Sequence, residues 1–306
     1  MNVLSLFDGL SCGQIALNRA GIEYLNYYAS EIDKHAIKAA QHNFPNTIQL
    51  GDITKLDTNI LPKIDLLFGG SPCQSFSSAG KRTGFDGKSG LFYEYVRVLN
   101  DVRKVNPDVL FLLENVKMKK EWQDIITEEL GVDPIEINSS LVSAQNRVRL
   151  YWTNIPNVVQ PIDRNIKLID ILETDDMLNP SAIRGRKLNK ATILGRRLNS
   201  NGKREDYNKE IPITQCLEVR ASNVDKSNCL TTVSKDNVLT TMPIGRHPNA
   251  FKDNLPFRYY TIKEYCRLQT IPDDYFPNTI SDSQIRKMVG NGWTVDVIAH
   301  IFKNIE

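Results

Sequence analysis

A cysteine within Gly69-Gly70-Ser71-Pro72-Cys73-Gln74-Ser75-Phe76-Ser77 has the surroundings of a nucleophile. It follows a short apolar run and opens a stretch rich in Gly and Ser that continues to Gly90. At such a strand end a thiol is useful only as an accessible thiolate. A lone cysteine is usually a small buried apolar residue, so Cys73 takes its meaning from its companions. Leu113-Glu114-Asn115-Val116 ends another apolar run with a carboxyl group. Buried beside a heterocyclic base, such a carboxyl can be held protonated and donate to a ring nitrogen. Gln145-x-Arg147-x-Arg149 has period two, which on a strand puts three polar side chains on one face, with Val148 and Leu150 turned to the core.

A second group of residues has the character of a nucleoside site. Phe7-Asp8-Gly9-Leu10-Ser11-Cys12-Gly13 lies between a strand and a helix expected to begin near Gln14. Small residues there let backbone amides approach a ligand, although this is not the G-x-G-x-x-G of dinucleotide binders. Glu31 closes the second apolar run, where an acid accepts hydrogen bonds from a ribose, and Asp52 follows the third, where it can take an adenine amino group. Each acid taken singly is equally a helix cap or a solvated strand end. Together, at successive strand ends, the three features describe a nucleoside cofactor site.

These residues need a sheet to hold them. Strands are expected at Val3 to Phe7, Tyr27 to Glu31, Thr47 to Leu50, Ile64 to Phe68 and Val109 to Leu113, alternating with helical stripes. The stripes are Leu91, Tyr95, Val98, Leu99 and Val102, then Trp122, Ile125, Ile126 and Leu130. That alternation predicts an α/β fold with a parallel, Rossmann-like sheet covered on both faces. After about Pro156 it stops, and a stretch rich in Asn, Thr, Lys and Arg follows to about Pro256. This reads as a smaller, mostly β or irregular domain, with an Asn201-Gly202 turn and two similar runs, Leu230-Thr231-Thr232-Val233 and Leu239-Thr240-Thr241-Met242. Met177 to Arg204 holds no acid but holds Arg184, Arg186, Lys187, Lys190, Arg196, Arg197, Lys203 and Arg204, the composition of either a phosphate-facing surface or a solvated loop. Helical order then returns, with capping boxes expected at Thr261-x-x-Glu264 and Ser281-x-x-Gln284 and a last helix with Ile298, Ile301, Phe302 and Ile305 on its apolar face. The expected division is 1–156, 157–256 and 257–306, with the last part completing the first.

The composition excludes some classes. With 306 residues, 41% of them hydrophobic, and 38 basic against 36 acidic residues, the chain has the makings of one substantial core and no global charge for nucleic acid, so any such surface must be local. Five scattered cysteines without a C-x-x-C pair or a histidine cluster indicate neither a disulfide framework nor a metal site. No apolar run approaches membrane-spanning length, and the first residues lack a basic leader, so a cytoplasmic location without membrane contact is expected.

In this order the motifs resemble the cytosine-5 DNA methyltransferase family across almost the whole chain. Its Pro-Cys loop matches Pro72-Cys73, its Glu-Asn-Val matches Glu114-Asn115-Val116, and its Gln-x-Arg-x-Arg matches Gln145, Arg147 and Arg149. Gly290-Asn291-Gly292-Trp293 resembles its last motif, which folds back beside the first. Leu6-Phe7-Asp8-Gly9, Gly69 to Cys73 and Gly292-Trp293-Thr294-Val295 are closest to the animal de novo branch, while the compact chain resembles a bacterial or phage enzyme. Ser11-Cys12 stands where bacterial members carry adjacent glycines, and Gly292 where many carry serine.

The resemblance implies a sheet that binds S-adenosylmethionine and releases S-adenosylhomocysteine without a metal. The expected contacts are Phe7, Asp8, Gly9, Leu10, Ser11, Gly13, Glu31, Ile32, Asp52, Ile53, Pro72, Asn291 and Trp293. It implies covalent catalysis: Cys73 adds to carbon 6 of a flipped cytosine, Glu114 holds nitrogen 3 and the amino group, and Arg147 supports the carbonyl, with Gln145 and Arg149 alongside. The loop from Ser71 to Gly90 would close over the base. The inserted domain would be a target recognition domain on double-stranded DNA. A monomer is expected, with any cognate restriction endonuclease acting separately. Two alternatives stay open, an RNA cytosine-5 methyltransferase and a catalytically lapsed DNA-binding relative. The RNA-modifying branch carries a Cys-Phe-Thr stretch not found here, and the intact motif residues speak against lapse. A nicotinamide oxidoreductase would leave Pro72-Cys73 and the Gln-Arg-Arg pattern unexplained.

Overall fold

Apolar β-formers at the start of the chain become the middle of a seven-stranded sheet in the computed structural model, which describes residues 1–72, 90–174, 188–220 and 225–305. The strands are β1 (Asn2–Leu6), β2 (Asn26–Ser30), β3 (Ile48–Gln49), β4 (Leu66–Gly70), β5 (Leu110–Val116), β6 (Pro134–Asn138) and β7 (Val148–Thr153), in the order β3-β2-β1-β4-β5-β7-β6. β1 to β5 pair in parallel as expected, and β7 runs antiparallel between β5 and β6. The reversal at β1, between chain-adjacent β2 and the later β4, opens a crevice at the carboxyl edge, where ligands bind in such sheets.

Period-two patterning sorts the side chains to two faces. Val3, Leu66, Phe68 and Leu112 meet α1 (Cys12–Ala20) and α2 (Lys34–Asn43) on one side. Leu4, Leu6, Leu67, Phe111 and Leu113 meet α3 (Leu91–Val105) and α4 (Lys120–Leu130) on the other. Of the expected stripes, Tyr95, Val98, Leu99 and Val102 are buried along α3 and Ile126 and Leu130 along α4, while Leu91, Trp122 and Ile125 are half-buried. After the short α5 (Leu168–Ile171), β8 (Asn189–Arg197), β9 (Ile213–Val219), β10 (Val238–Thr240), β11 (Gly245–His247) and β12 (Phe257–Tyr259) make an antiparallel second sheet ordered β11-β9-β8-β10-β12. It has a small core of its own around Ile193, Leu217, Val219 and Val238. The chain then returns through α6 (Ile262–Leu268), α7 (Asp282–Asn291) and α8 (Val295–Phe302), and α8 packs on α1.

Five local expectations are corrected. α1 begins at Cys12, not near Gln14, because Ser11 with φ 54° turns the chain directly into it. Gln145 and Arg147 precede β7: Gln145 forms only an isolated bridge to Ser227, so the three polar residues do not share one strand. Leu230 to Val233 is not a strand, since the Leu230 amide goes to Gln145 Oε1 and the Thr231 hydroxyl to Asp236, whereas the similar later run does enter β10. The Thr261 capping box forms, but Ser281 makes no side-chain cap and meets Ser283 instead. α8 also ends at Phe302, short of Ile305. Among the described residues no helix is long and apolar enough to cross a membrane.

Candidate active site

The turn after β1 is shaped by three positive φ angles, at Phe7 (57°), Gly9 (57°) and Ser11 (54°). Only glycine adopts that region without cost, so Phe7 and Ser11 are held there by their surroundings. One restraint is Glu31, just past β2, whose carboxylate accepts from the amides of Gly9, Ile32 and Asp33, each at 2.8 Å. The other is Asp8, buried and bonded by Tyr27 Oη at 2.6 Å and by the Ser11 hydroxyl. Burial pushes the Asp8 carboxyl up to about 6, with the hydrogen bonds from Ser11, Ser5 and Tyr27 opposing it.

A stability prediction follows from Asp8. Its folded-state proton is held more tightly than the unfolded one, so its contribution is fully present below an unfolded value near 4 and is lost as pH rises through about 6. Asp8→Asn is therefore expected to match wild type at pH 4 and to exceed it at pH 8 by on the order of 2 kcal/mol in urea unfolding. A wild type and variant that respond identically from pH 4 to 8 would contradict the assignment.

The remaining cofactor candidates divide by environment. Ile32 is 74% exposed beside Glu31, leaving an apolar surface at the crevice. Asp52 caps a short helix through the Thr54 amide at 3.0 Å, the simpler of its two sequence readings. Leu10 and Ile53 are buried in the core, and Gly13 lies so close to Phe68 that an added Cβ would come within 2.3 Å of the ring. Pro72 follows β4, and Asn291 is the exposed last residue of α7.

The chemistry-bearing side chains converge between β4, β5 and β7. Glu114 lies on the same face of β5 as Leu112, toward the segment leading into α8. Its Oε1 pairs with Arg149 Nε at 2.9 Å, and its Oε2 accepts from Trp293 Nε1 at 3.1 Å. Gly70 of β4 lies opposite, where a Cβ would stand 2.8 Å from Trp293 Nε1 and 3.0 Å from Glu114 Oε2. Asn115 reaches Ser71 Oγ at 3.1 Å and so ties β5 to the chain entering the Pro-Cys stretch. Cys73 and most of the segment expected to close over the base lie outside the described residues.

Arg147 is almost fully buried and joins three parts of the chain. Its guanidinium donates to Gly292 O at 2.8 Å, Leu230 O at 3.2 Å and Cys229 Sγ at 3.3 Å. Gln145 donates to Leu268 O at 2.6 Å and to Gln269 Oε1 at 2.8 Å. Gln269 in turn donates to Gly292 O at 3.0 Å and accepts from Thr294 at 2.7 Å. Sequence reading found Gln145 and Arg147 but missed Cys229, Gln269 and Thr294, whose partners lie far away along the chain and leave no local pattern. Among the described residues no cluster of three or more His, Cys, Asp or Glu could hold a metal ion.

In the second sheet the described cations of the basic run divide, with Lys190 buried, Arg196 and Arg197 half-buried, and Lys203 and Arg204 exposed. Arg196 pairs with Glu218 at 2.8 Å and with Asp206 at 3.4 Å, Arg204 pairs with Asp206, and Arg197 donates to the carbonyls of Lys209 and Ile211. Lys190 is buried and donates to Lys226 O at 2.6 Å. The acids that pair Arg196 and Arg204 come from outside the run, so its charge is partly compensated by Asp206 and Glu218. Glu218 also holds Arg246 at 3.2 Å and Arg220 at 3.0 Å, and these hydrogen bonds, that of Arg196 foremost, lower its carboxyl to about 2. Arg220 is left 73% exposed on that hub. Arg184, Arg186 and Lys187 lie outside the described residues.

Comparison with known proteins places this geometry. The family model described as C-5 cytosine-specific DNA methylase matches residues 1–306. The orphan methyltransferase M.Rho11sI of Bacillus phage rho11s is 37% identical over 203 residues, covering 62% of this chain but 39% of the phage protein. M.SPRI of Bacillus phage SPR is 41% identical and is likewise covered over only 38% of its length, so the chain spans about two fifths of these phage relatives. The type II methyltransferase M.NlaX of Neisseria lactamica is 28% identical, with 99% of this chain and 96% of that protein covered. Two solved structures share the fold. The Entamoeba histolytica methyltransferase EhMeth gives a TM-score of 0.67 at 14% identity, covering 100% of this chain and 99% of that one. A Spodoptera frugiperda DNMT2 variant gives 0.65 at 19%, covering 99% and 98%.

Proposed function

The chain belongs to the C-5 cytosine-specific DNA methylase family, and from that premise we propose that it methylates carbon 5 of a flipped cytosine in a specific duplex DNA site. The observation that carries this reading is the Glu114–Arg149–Trp293 cluster opposite Gly70, at the edge where Ser71 leads into Pro72-Cys73. It puts an oriented carboxyl group at the strand edge from which the chain runs into Pro72-Cys73.

The residues present suit S-adenosylmethionine. Glu31 is fixed by three amides at the crevice with the exposed apolar Ile32 next to it, which suits a ribose and the face of an adenine. Phe7, Asp8, Gly9, Leu10, Ser11 and Gly13 would form the turn under the amino acid portion. Asp52, Ile53, Pro72, Asn291 and Trp293 would complete the site. When bound, the cofactor supplies an electrophilic methyl group, and its spent form is S-adenosylhomocysteine. Glu31→Ala is expected to weaken its binding by about 1.5 to 3 kcal/mol in calorimetry. Unchanged affinity on folded protein would move the cofactor away from this strand end.

Carbon 5 of cytosine is a poor nucleophile, and the chain's own groups correct that. The Cys73 thiolate forms a bond to carbon 6, and the ring electrons move toward nitrogen 3 and the carbonyl. Glu114, held by Arg149 and Trp293, takes up a proton from solvent as the base binds and donates it to nitrogen 3 while accepting from the amino group, so that nitrogen 3 is neutralised as the electrons arrive and carbon 5 becomes enamine-like. After carbon 5 is methylated, solvent water takes its proton, the electrons of that carbon–hydrogen bond form the carbon 5–carbon 6 double bond, nitrogen 3 returns its proton to Glu114, and the carbon–sulfur bond breaks to release Cys73 as the thiolate. Arg147 and Gln145 work through the backbone they hold, keeping Gly292 and Trp293 against Glu114. Flipping the base costs roughly a few kcal/mol, offset by contacts in the pocket.

With the division 1–156, 157–256 and 257–306, target recognition falls to the middle part, where Lys203, Arg204 and Arg220 are exposed cations available to DNA. The enzyme would act as a cytoplasmic monomer, separately from any cognate restriction endonuclease. Bisulfite sequencing of DNA from cells with and without this chain tests the reading. Protected cytosines recurring in one sequence context are expected, and an unchanged pattern from soluble, folded enzyme would defeat it.

A further inference from the structure

One buried and one half-buried guanidinium group, those of Arg147 and Arg149, meet one sulfur in this site. Cys229 lies on the connection between β9 and β10, and its Sγ is 3.3 Å from Arg147 Nη1 and 3.8 Å from Arg149 Nη2. The far side of Arg149 holds Glu114 at 2.9 Å. We propose that Cys229 is a positioning residue for methyl transfer, a thiolate that acts as the shared counter-ion of Arg147 and Arg149 and, through Arg149, fixes the Glu114 carboxylate. The proposal rests on the methyltransferase reading and deepens it.

Charge balance is the argument. Arg147 and Arg149 carry two positive charges into a nearly water-free place, and Glu114 carries one negative charge. A thiolate at Cys229 makes the four groups neutral and gives Arg147 an ionic partner that the carbonyls of Leu230, Gly290 and Gly292 cannot supply. Burial alone would push the Cys229 thiol up, but Arg147 and Arg149 outweigh it and hold it below its ordinary value. One contact opposes this, the Leu230 carbonyl oxygen 3.4 Å from Cys229 Sγ, which accepts from the thiol and has nothing to accept from a thiolate, but Arg147 also donates to that oxygen and keeps it satisfied. Burial keeps Tyr151 neutral, while Lys190 and Asp236 bond the neighbouring Asn228 and Thr231, and Asn237 bonds the Cys229 carbonyl. Cys12 and Cys266 are different, since burial drives both thiols up to about 12.

The test has two readouts. Iodoacetamide labelling of the folded enzyme, followed residue by residue by mass spectrometry from pH 5 to 10, is expected to show Cys229 half-labelled below pH 9 while Cys12 and Cys266 stay unlabelled. Methyl-transfer kinetics of Cys229→Ser across the same range are then divided into those of wild type, which cancels the titration of the nucleophilic thiol. The ratio of kcat is expected to lie near one below the labelling midpoint and to rise to about tenfold above it, with KM for S-adenosylmethionine unchanged. A labelling midpoint at or above 9, or a ratio independent of pH, overturns the proposal. Labelling is read on wild type, so misfolding of the variant leaves that arm decisive. A wild type without methyl transfer at any pH would instead overturn the methyltransferase reading beneath it.

Discussion

Cys73→Ser is expected to lower kcat for methyl transfer by about four orders of magnitude or more while leaving cofactor and DNA affinity within about threefold of wild type. A serine hydroxyl is almost wholly protonated at neutral pH and is a far weaker nucleophile than a thiolate, so the bond to carbon 6 does not form. The rest of the site is built without this side chain. Glu114 is held by Arg149 and Trp293, Ser71 by Asn115, and the turn after β1 by Glu31 and Asp8. A large loss of binding in the variant would mean that Cys73 has a structural part in the pocket. Retained turnover would remove it from the chemistry.

The second large effect is expected at Glu114. Glu114→Gln keeps the shape but removes the acid that delivers a proton to nitrogen 3, and kcat should fall by about 100- to 1,000-fold, the usual loss when one preorganised donor is taken from a developing negative charge. Arg149 would then stand beside Arg147 without a carboxylate, a charge left buried without its partner. A fall in melting temperature should therefore accompany the loss of rate. Glu114→Gln combined with Arg149→Met should regain stability but not activity, because the unpaired charge is gone while the support for nitrogen 3 is still missing. Recovery of rate in the double variant would show that Glu114 matters only as a partner for Arg149.

Much of the architecture was legible because it is local. Runs such as Asn2–Leu6 and Leu66–Gly70 alternate apolar side chains to two covered faces, and the acids Glu31 and Glu114 stand where those runs end. The misreadings share a physical cause, the satisfaction of backbone or charge by a distant side chain. Gln145 and Arg147 alternate as a strand would, yet their partners are Leu268, Gln269, Leu230 and Gly292, more than eighty residues away. Leu230-Thr231-Thr232-Val233 has the composition of a strand, but its donors are taken by Gln145 and Asp236. The basic run looked uncompensated because Asp206 and Glu218 lie beyond its end and reach back across the β8–β9 pairing. Cys229 carried no signal at all, since its meaning comes entirely from two arginines on the other side of the sequence.

The central claim is that methyl transfer passes through a covalent bond to Cys73, and a trapping experiment tests it most directly. Duplex DNA carrying 5-fluorocytosine at the target position, incubated with enzyme and S-adenosylmethionine, leaves carbon 5 without a proton to lose, so the final bond-breaking step cannot occur. A stable enzyme–DNA adduct is predicted, and mass spectrometry of its peptides should locate the methylated base on Cys73. An adduct on any other residue, or normal turnover with no adduct, would contradict the account.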